Sequence, residues 1–598
     1  MSLQPLDWII VFLSLLVCLI PAVFLARRGG RNTSEFFTSG RAAPWWLIGV
    51  SMVATTFSAD TPNLVTDIVR RNGVAGNWVW WAFLITGMTT VFIYARLWRR
   101  SGVLTDLEFY EIRYAGRAAR AVRGFRAVYL GLLFNCVIMA SVNLAAVKIA
   151  QVLLGWSPVR TLVICGALSI LYAAPAGLWG VLWVDLIQFC IKMTAAVFAA
   201  YYALQQPQVG GLAGLVQRLP AAKLSFFPDL SNPELVVTLL VVPLLVQWWA
   251  VWYPGAEPGG GSYIAQRMLA AKSERDALNG TLFFNVAHYA LRPWPWIIVA
   301  LASLLVYPQL DDIRRAFPRV DPAWINHDLG YPAMLRFLPT GLAGLMLGGL
   351  AAAYLSTIIT HLNWGTSYLV HDLYRRFLRP GESERHYVWI GRAVPVVLMV
   401  LAGLVTFRLQ SAKLAFDLML SIGAGTCLLY LLRWFWWRVN AWAEIAAMVS
   451  SFGFAMGFHF ATRAGLNWPP HVTLVASVGL TTIVWVATAF LTPPTPPATL
   501  RQFYELVRPA GPGWRTIRAE SGLPASSDNL PNGLLAALYG AVAVWSALFA
   551  TGSFLYGNPG RSALLAVLAA IAGAGCFRLV WGRRPAGAGP PGPAPANQ

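Results

Sequence analysis

The chain has 598 residues, 57% of them apolar and 12% charged, with a formal net charge of +20. Soluble domains carry roughly a quarter charged residues, so a soluble globular protein is excluded, and no polar stretch leaves room for a sizeable soluble domain. The basic excess argues against nucleic acid as a partner, because the Arg-rich segments Ala95–Arg126 and Tyr374–Arg392 sit at the ends of apolar spans, where basic residues orient membrane helices.

In chain order the sequence predicts about fifteen membrane helices, each long enough for a hydrocarbon core of about 30 Å. They lie near 5–27, 45–70, 76–97, 127–154, 161–176, 177–204, 234–272, 283–307, 335–373, 387–408, 413–434, 440–462, 471–492, 534–556 and 561–582. The first, Leu6–Ala26, is too long for the apolar core of a signal peptide and reads as a retained helix stopped by Arg27, Arg28 and Arg31. The second is interrupted at Ser58-Ala59-Asp60-Thr61-Pro62. The seventh is interrupted at Pro254-Gly255-Ala256-Glu257-Pro258-Gly259-Gly260-Gly261. Interrupted spans at matching places in two halves point to an inverted-repeat secondary transporter whose binding site lies at the breaks.

The expected fold is therefore an all-α polytopic membrane protein with a LeuT-like five-helix inverted repeat, over 45–205 and 234–435. An extra helix and loop (1–44) precede the repeat, and an external loop (206–233) joins its halves. Peripheral helices follow over 436–584, around a cytoplasmic loop at 493–533, and the Pro/Gly/Ala-rich tail 585–598 reads as disordered. The basic segments place the N-terminus outside and the C-terminus in the cytoplasm of a plasma-membrane protein, with lipid as its surroundings. The six cysteines all fall in spans without metal-ligand spacing, so neither disulfides nor zinc are expected.

Ionisable groups at mid-membrane are costly and point to function. Each break carries one carboxylate, Asp60 or Glu257. Asp60 and Thr61, Asn143 on span four, and Gln247, Trp248, Trp252, Tyr253 and Glu257 around the second break are the candidate solute ligands. Aromatic rings stack on sugar faces or cage cations. If Asp60 and Glu257 shared one pocket their charges would repel; an amine-bearing solute, or a protein cation such as Lys148, would relieve that. Neutral polyols also fit, because carboxylates accept hydroxyl hydrogen bonds. Lys192 and Arg292 also fall within spans, with no role assigned. On span nine, Ala353, Ser356 and Thr360 share a helical face, and hydroxyls with freed carbonyls suit a hard cation; such hydroxyls equally bond the carbonyl one turn back.

Other polar residues have plainer expectations. Asp67, Arg70 and Arg71 close the outer end of span two and face water; Arg267 and Lys272 are positive-inside anchors; Asp417 is a gate candidate. His288 and His361 are helix-packing hydrogen bonders, and no enzyme is expected, although His361 with Asn363 offers a faint version of an acyl-transfer pair.

Five stretches in order carry a family resemblance: Ser34-Glu35-Phe36-Phe37 with Gly40-Arg41 and Pro44-Trp45-Trp46-Leu47-Ile48-Gly49; Thr56-Phe57-Ser58-Ala59-Asp60; Trp183 with Asp185 and Gln188; Tyr263-Ile264-Ala265-Gln266-Arg267-Met268-Leu269-Ala270-Ala271-Lys272; and Ser356-Thr357 continuing to Asn363 and Asp372-Leu373-Tyr374. In these the chain resembles the sodium:solute symporters, the family of the sodium/galactose, sodium/proline and sodium/sialic acid transporters. The resemblance implies a central Na⁺ held by the carbonyls of Ala54, Phe57 and Ala353 and the hydroxyls of Ser356 and Thr357. It also implies a sodium route past Asp185. Thr360 belongs to the position of a second sodium site, where Ile359 replaces one hydroxyl, so a single sodium is expected.

The implied function is Na⁺-coupled uptake of a small polar solute (a sugar, amino acid or amine-bearing molecule) by alternating access, with no obligate protein partner. The alternatives are a proton-coupled transporter of the same fold, with the proton on Asp60 or Glu257, a transporter-like membrane sensor, and an acyl-transferring enzyme built on His361 and Asn363.

Overall fold

Pro62 fixes the first break. Proline lacks a backbone N–H and fits the first turn of a helix, and here it opens the second half of a helix whose first half has ended at Thr56. Phe57 leaves helical geometry (φ −89°, ψ 72°), and Asp60 stands at the head of the new half. The second break rests on glycine. Gly259 and Gly260 have φ of +80° and +84°, which only glycine adopts readily. A Cβ at Gly259 would also stand 2.8 Å from the Tyr94 ring.

The computed structural model describes residues 3–29, 39–103, 106–172, 178–250 and 257–581. Trp252, Tyr253, Pro254–Ala256 and the whole of the Ser34–Phe37 stretch lie outside the described residues, as does the tail. Among the described residues the regular structure is helical, apart from a single bridge between Ala43 and Ala271.

The long helices, in chain order, are α1 (Pro5–Gly29), α2 in two halves (Trp45–Thr56 and Thr61–Asn72), α3 (Val74–Ser101), α4 (Gly116–Leu154), α5 (Pro158–Tyr172), α6 (Leu178–Leu204), α7 in two halves (Pro233–Leu245 and Ser262–Ala270), α8 (Glu274–Val306), α9 (Leu342–Leu378), α10 (Glu384–Thr406), α11 (Ala412–Leu432), α12 (Ala441–Arg463), α13 (Pro470–Leu491), α14 (Leu530–Leu555) and α15 (Pro559–Trp581). Among the described residues, 11 helices are long and apolar enough to cross a membrane. Four shorter apolar helices, Pro5–Cys18, Trp45–Thr56, Pro158–Ile170 and Pro233–Leu245, stand where the sequence predicts further spans.

Packing puts the first break at the centre. The first half of α2 lies against α6 and α8, its second half against α8, and α6 also lies against α9 and α1. The small residues of α9 receive α1: a Cβ at Gly344 would stand 2.5 Å from the Asp7 backbone. Asp7 Oδ1 in turn accepts from the Gly341 and Gly344 N–H groups at 2.7 and 2.9 Å. Without a hydrophobic drive between helices in lipid, such small-residue contacts and buried hydrogen bonds decide which helices meet.

Candidate functional site

The first half of α2 ends in carbonyls that have lost their helical partners, and a helix C-terminus carries partial negative charge. Cations collect there. Lys192 Nζ, from α6, donates to Ala54 O and to Phe57 O, both at 3.2 Å. The same ammonium lies 5.6 Å from the Phe57 ring centre, and the Arg292 guanidinium lies 5.8 Å from it. Arg292 also donates to Val53 O at 3.3 Å and to Thr56 Oγ1 at 3.2 Å.

The resemblance placed sodium against these two carbonyls, with Ala353, Ser356 and Thr357 opposite. Ala353 and Thr357 are fully buried on α9, and the Thr357 hydroxyl oxygen has no hydrogen-bond partner among the described residues. Two carbonyls at the end of a half-helix, of which Ala54 O also accepts from the Phe57 N–H at 3.1 Å, and an orphaned buried hydroxyl are the right ligands for an oxygen-seeking cation. The Lys192 ammonium, however, sits on the carbonyls that such a cation would use.

Asp185 lies on α6 seven residues before Lys192 and is buried. It accepts from Ser51 Oγ (2.5 Å), Thr55 Oγ1 (3.4 Å) and Ser356 Oγ (3.2 Å), so it joins the first half of α2 to α9. Arg267 Nη2 from α7 stands 3.7 Å away. Arg267 is expected from the sequence to be a positive-inside anchor. It is instead buried, because its charge is matched by Asp185 rather than by water. Asp67 and Arg70, expected to face water, are buried as well: Arg70 donates to Ser303 O (2.7 Å) and Tyr307 O (2.8 Å), and Asp67 pairs with Arg71. Thr360 is half-buried on α9.

Among the described residues, the candidate solute ligands are bonded to other parts of the protein. Asp60 Oδ2 accepts from Ser141 Oγ at 2.9 Å, Thr61 Oγ1 reaches Thr56 O at 3.5 Å, and Asn143 Oδ1 accepts from Tyr354 OH at 2.7 Å. Gln247 Nε2 donates to Val79 O at 2.6 Å, and the Trp248 carbonyl accepts from Thr86. Glu257 is buried against Arg126, which donates to its Oε1 at 2.7 Å. The anticipated repulsion between Asp60 and Glu257 is thus absent, since Glu257 has its own cation. Nor does Lys148 serve Asp60: it is fully buried against Asp328, with Nζ 2.6 and 2.7 Å from the two carboxylate oxygens. His288 bonds Arg292 at 2.6 Å and His361 bonds Asn135 at 2.8 Å, both as packing contacts. Asp417 pairs with Lys413 at a half-exposed position.

A cavity of about 40 Å³ does lie beside the two breaks, between α3, α7 and α8. Among the described residues, Glu257 is the candidate solute ligand that lines it. Thr56, Thr86, Thr90, Thr281 and Asn285 line it too, with the rings of Phe83, Phe284 and Tyr289. Sequence reasoning missed these residues, because a threonine in an apolar helix ordinarily bonds the carbonyl one turn back. Thr90 and Thr281 do so at 2.8 Å. That bond consumes the hydroxyl proton and leaves acceptor lone pairs. Asn285 likewise spends Nδ2 on Thr281 O at 2.8 Å, and its Oδ1 has no partner among the described residues. The cavity wall is mostly apolar, and the Thr90, Thr281 and Asn285 side chains present acceptor oxygens on it. A larger cavity, about 300 Å³, lies between α3 and the α14–α15 pair and touches neither break.

The model of the sodium:solute symporter family matches residues 36–451. The sodium/glucose cotransporter of Vibrio parahaemolyticus is 26% identical over 450 residues, covering 72% of this chain and 80% of that protein. The sodium/myo-inositol cotransporter 2 of Oryctolagus cuniculus is 26% identical over 490 residues, covering 76% and 70%. Among solved structures, the substrate-bound outward-open state of a Na⁺-coupled sialic acid symporter has a TM-score of 0.62 at 22% identity, covering 82% of this chain and 99% of that one. That likeness shows a shared fold, built on the LeuT-type inverted repeat. The chain is a multi-pass membrane protein and belongs to the sodium:solute symporter family, whose members are transporters rather than enzymes and whose coupling ion is sodium.

Proposed function

We propose that this protein takes up a neutral polyhydroxylated solute, a sugar or a cyclic polyol, by Na⁺-coupled alternating access. The observation that carries the solute class is the mostly apolar cavity between α3, α7 and α8, with the acceptor oxygens of Thr90, Thr281 and Asn285 on its wall. A polyol presents hydroxyl donors to such a wall and apolar faces to rings such as Phe83 and Tyr289. An ammonium-bearing solute is disfavoured, because Glu257 is already matched by Arg126 and Arg292 stands close by, bonded to the lining residues Thr56 and His288. The relatives named for glucose and myo-inositol support the same class.

At about 40 Å³ the cavity is far below the roughly 300 Å³ of a small-molecule site. The solute would enter when the helices around the breaks part and be enclosed when they close.

Sodium would bind between the broken helix and α9, on the carbonyls of Ala54, Phe57 and Ala353 and the hydroxyls of Ser356 and Thr357, and leave past Asp185 and Thr360. By tying α2 to α9 it would shape the solute cavity, so each ligand favours the same conformations. Such coupling is typically about 1–3 kcal/mol. The Arg-rich ends of α3, α4 and α9 would face the cytoplasm, leaving the N-terminus outside, and the four short apolar helices would complete fifteen spans.

The test is a thermal-shift screen of the purified protein in NaCl and in choline chloride, across sugars, polyols, amino acids, polyamines and organic acids. A hexose or cyclic polyol that stabilises more in NaCl than in choline chloride supports the proposal. Stabilisation by amines or amino acids alone overturns the solute class, and equal stabilisation in the two salts overturns the coupling.

A further inference from the structure

The Lys192 ammonium and the proposed central sodium claim the same two oxygens. Lys192 is fully enclosed, and its Nζ stands 3.2 Å from both Ala54 O and Phe57 O. A sodium ion bonded to those carbonyls would sit closer still, at about 2.4 Å. The surroundings sharpen the conflict. Arg292 lies on the same Phe57 ring from the side of α8, Arg267 approaches Asp185 from α7, and Asp185 stands two turns away on α6 itself. From α1 the neighbour is the thiol of Cys18, and from α9 Gly349 lies against the Lys192 backbone, while Ser356 Oγ donates to Asp185. Asp185 thus faces two basic side chains, Lys192 and Arg267, with Arg292 on the far side of the Phe57 ring, so a further cation would meet an excess of positive charge unless one of them withdrew.

We propose that Lys192 is a tethered cation that excludes sodium from the central position, its ammonium holding the Ala54 and Phe57 carbonyls until sodium displaces it. The idea rests on the proposed sodium position, and deepens it by making the broken helix ordered by one of two alternative cations. Lysine suits the task because its flexible stem lets a compact ammonium reach and leave a carbonyl pair without moving the helix that bears it. Sodium-free protein would then keep the first half of α2 tethered to α6, and sodium binding would release that tether while creating one to α9.

The experiment measures ²²Na⁺ binding to purified full-length protein, comparing the natural chain with Lys192→Met and Lys192→Gln. Both substitutions keep much of the stem's volume and remove the charge. The expected result is tighter sodium binding in the variants, by roughly 5- to 150-fold, and loss of that gain when Thr357→Ala is added. Binding by the natural chain as tight as by the variants, or tighter, overturns the proposal and leaves sodium coupling intact. Binding by the variants alone supports exclusion by Lys192 but overturns its displacement by sodium, and with it sodium coupling through this position in the natural chain. Absence of binding in all forms overturns both.

Should neither variant fold, the natural chain supplies the reading. A small amine-reactive acylating reagent labels Lys192, followed by mass spectrometry, in choline chloride and in NaCl. Labelling that rises with sodium supports displacement, and labelling that stays level overturns it.

Discussion

The side chain of Asn285 lies against the backbone of Gly87, so closely that a Cβ added at Gly87 would stand 1.8 Å from Asn285 Oδ1. Residue 87 is inside α3, where alanine is the better helix former by about 1 kcal/mol. Propensity alone would make Gly87→Ala stabilising, but the contact makes it displace the Asn285 amide from the cavity wall. The expected outcome is a solute affinity at least about tenfold weaker, as for loss of one buried hydrogen bond with its partner left unpaired, with little change in unfolding temperature. Titrating the solute found in the screen against both proteins checks this, and unchanged affinity removes Asn285 from the site.

Arg126 and Glu257 make a different kind of pair. Both side chains are buried, and the guanidinium lies 5.1 Å from the Tyr110 ring centre and 4.7 Å from that of Tyr430. Removing one member of a buried pair strands the other's charge, at about 3–5 kcal/mol, whereas replacing both by apolar groups is often nearly neutral. Arg126→Met and Glu257→Met should each lower the unfolding temperature sharply, and the double variant should recover most of the loss. Thermal unfolding in detergent of the three variants tests the order. A double variant no better than the singles would mean that Glu257 has a separate task at the second break.

The breaks were legible in the sequence because proline and glycine act locally: Pro62 cannot continue a helix, and Gly259 and Gly260 mark backbone that other residues resist. The 11 long spans were legible because apolar length is read directly from the chain. The cation network was not. Lys192 and Arg292 were visible as costly residues within spans, and Arg267 as a basic residue at a span's end. Their partners, however, lie on helices distant in sequence: Lys192 meets Ala54 and Phe57, Arg267 meets Asp185, and Arg292 meets Val53 and Thr56. No periodicity encodes such meetings. Glu257 was rightly singled out as a buried charge, but Arg126 lay in what read as a solvated basic segment. Thr281 and Asn285 left no signal, since their helical bonding hides them among ordinary membrane-helix residues.

Outside the spans, His327 reports on how the loop before α9 is held. Burial, then the positive charges of Arg70, Arg71 and Lys223, push its pKa down to about 4, and Arg70 Nε donates to His327 Nδ1 at 3.4 Å. An unfolded histidine takes its proton near 6.5. Between about 6.5 and 4 the unfolded chain therefore binds the proton and the folded loop refuses it. The His327 contribution to stability is full above about 6.5 and fades as the pH falls toward 4. His327 is partly solvated, so screening limits the effect to about 1 kcal/mol or less. Unfolding temperatures at pH 7.5 and 5 should differ less in His327→Gln than in the natural chain, and an equal difference would assign the pH sensitivity elsewhere.

Ser356 and Thr357 are neighbours in sequence with unlike surroundings, and this separates their roles. Ser356 Oγ donates to Asp185 Oδ1 at 3.2 Å, whereas the Thr357 hydroxyl is buried without a partner among the described residues. An orphaned buried hydroxyl is a cost to the fold unless something else uses its oxygen. Thr357→Val, which keeps the shape and removes the hydroxyl, should therefore leave the sodium-free protein as stable or slightly more so. It should also raise the sodium concentration for half-maximal uptake by about tenfold or more. Ser356→Ala should raise that concentration as well, and in addition lower stability without sodium by about 1–3 kcal/mol, since Asp185 loses a buried donor. Uptake in proteoliposomes and unfolding in choline chloride give the two readings. Equal sodium requirements in both variants and the natural chain would remove this pair of hydroxyls from the ion's coordination.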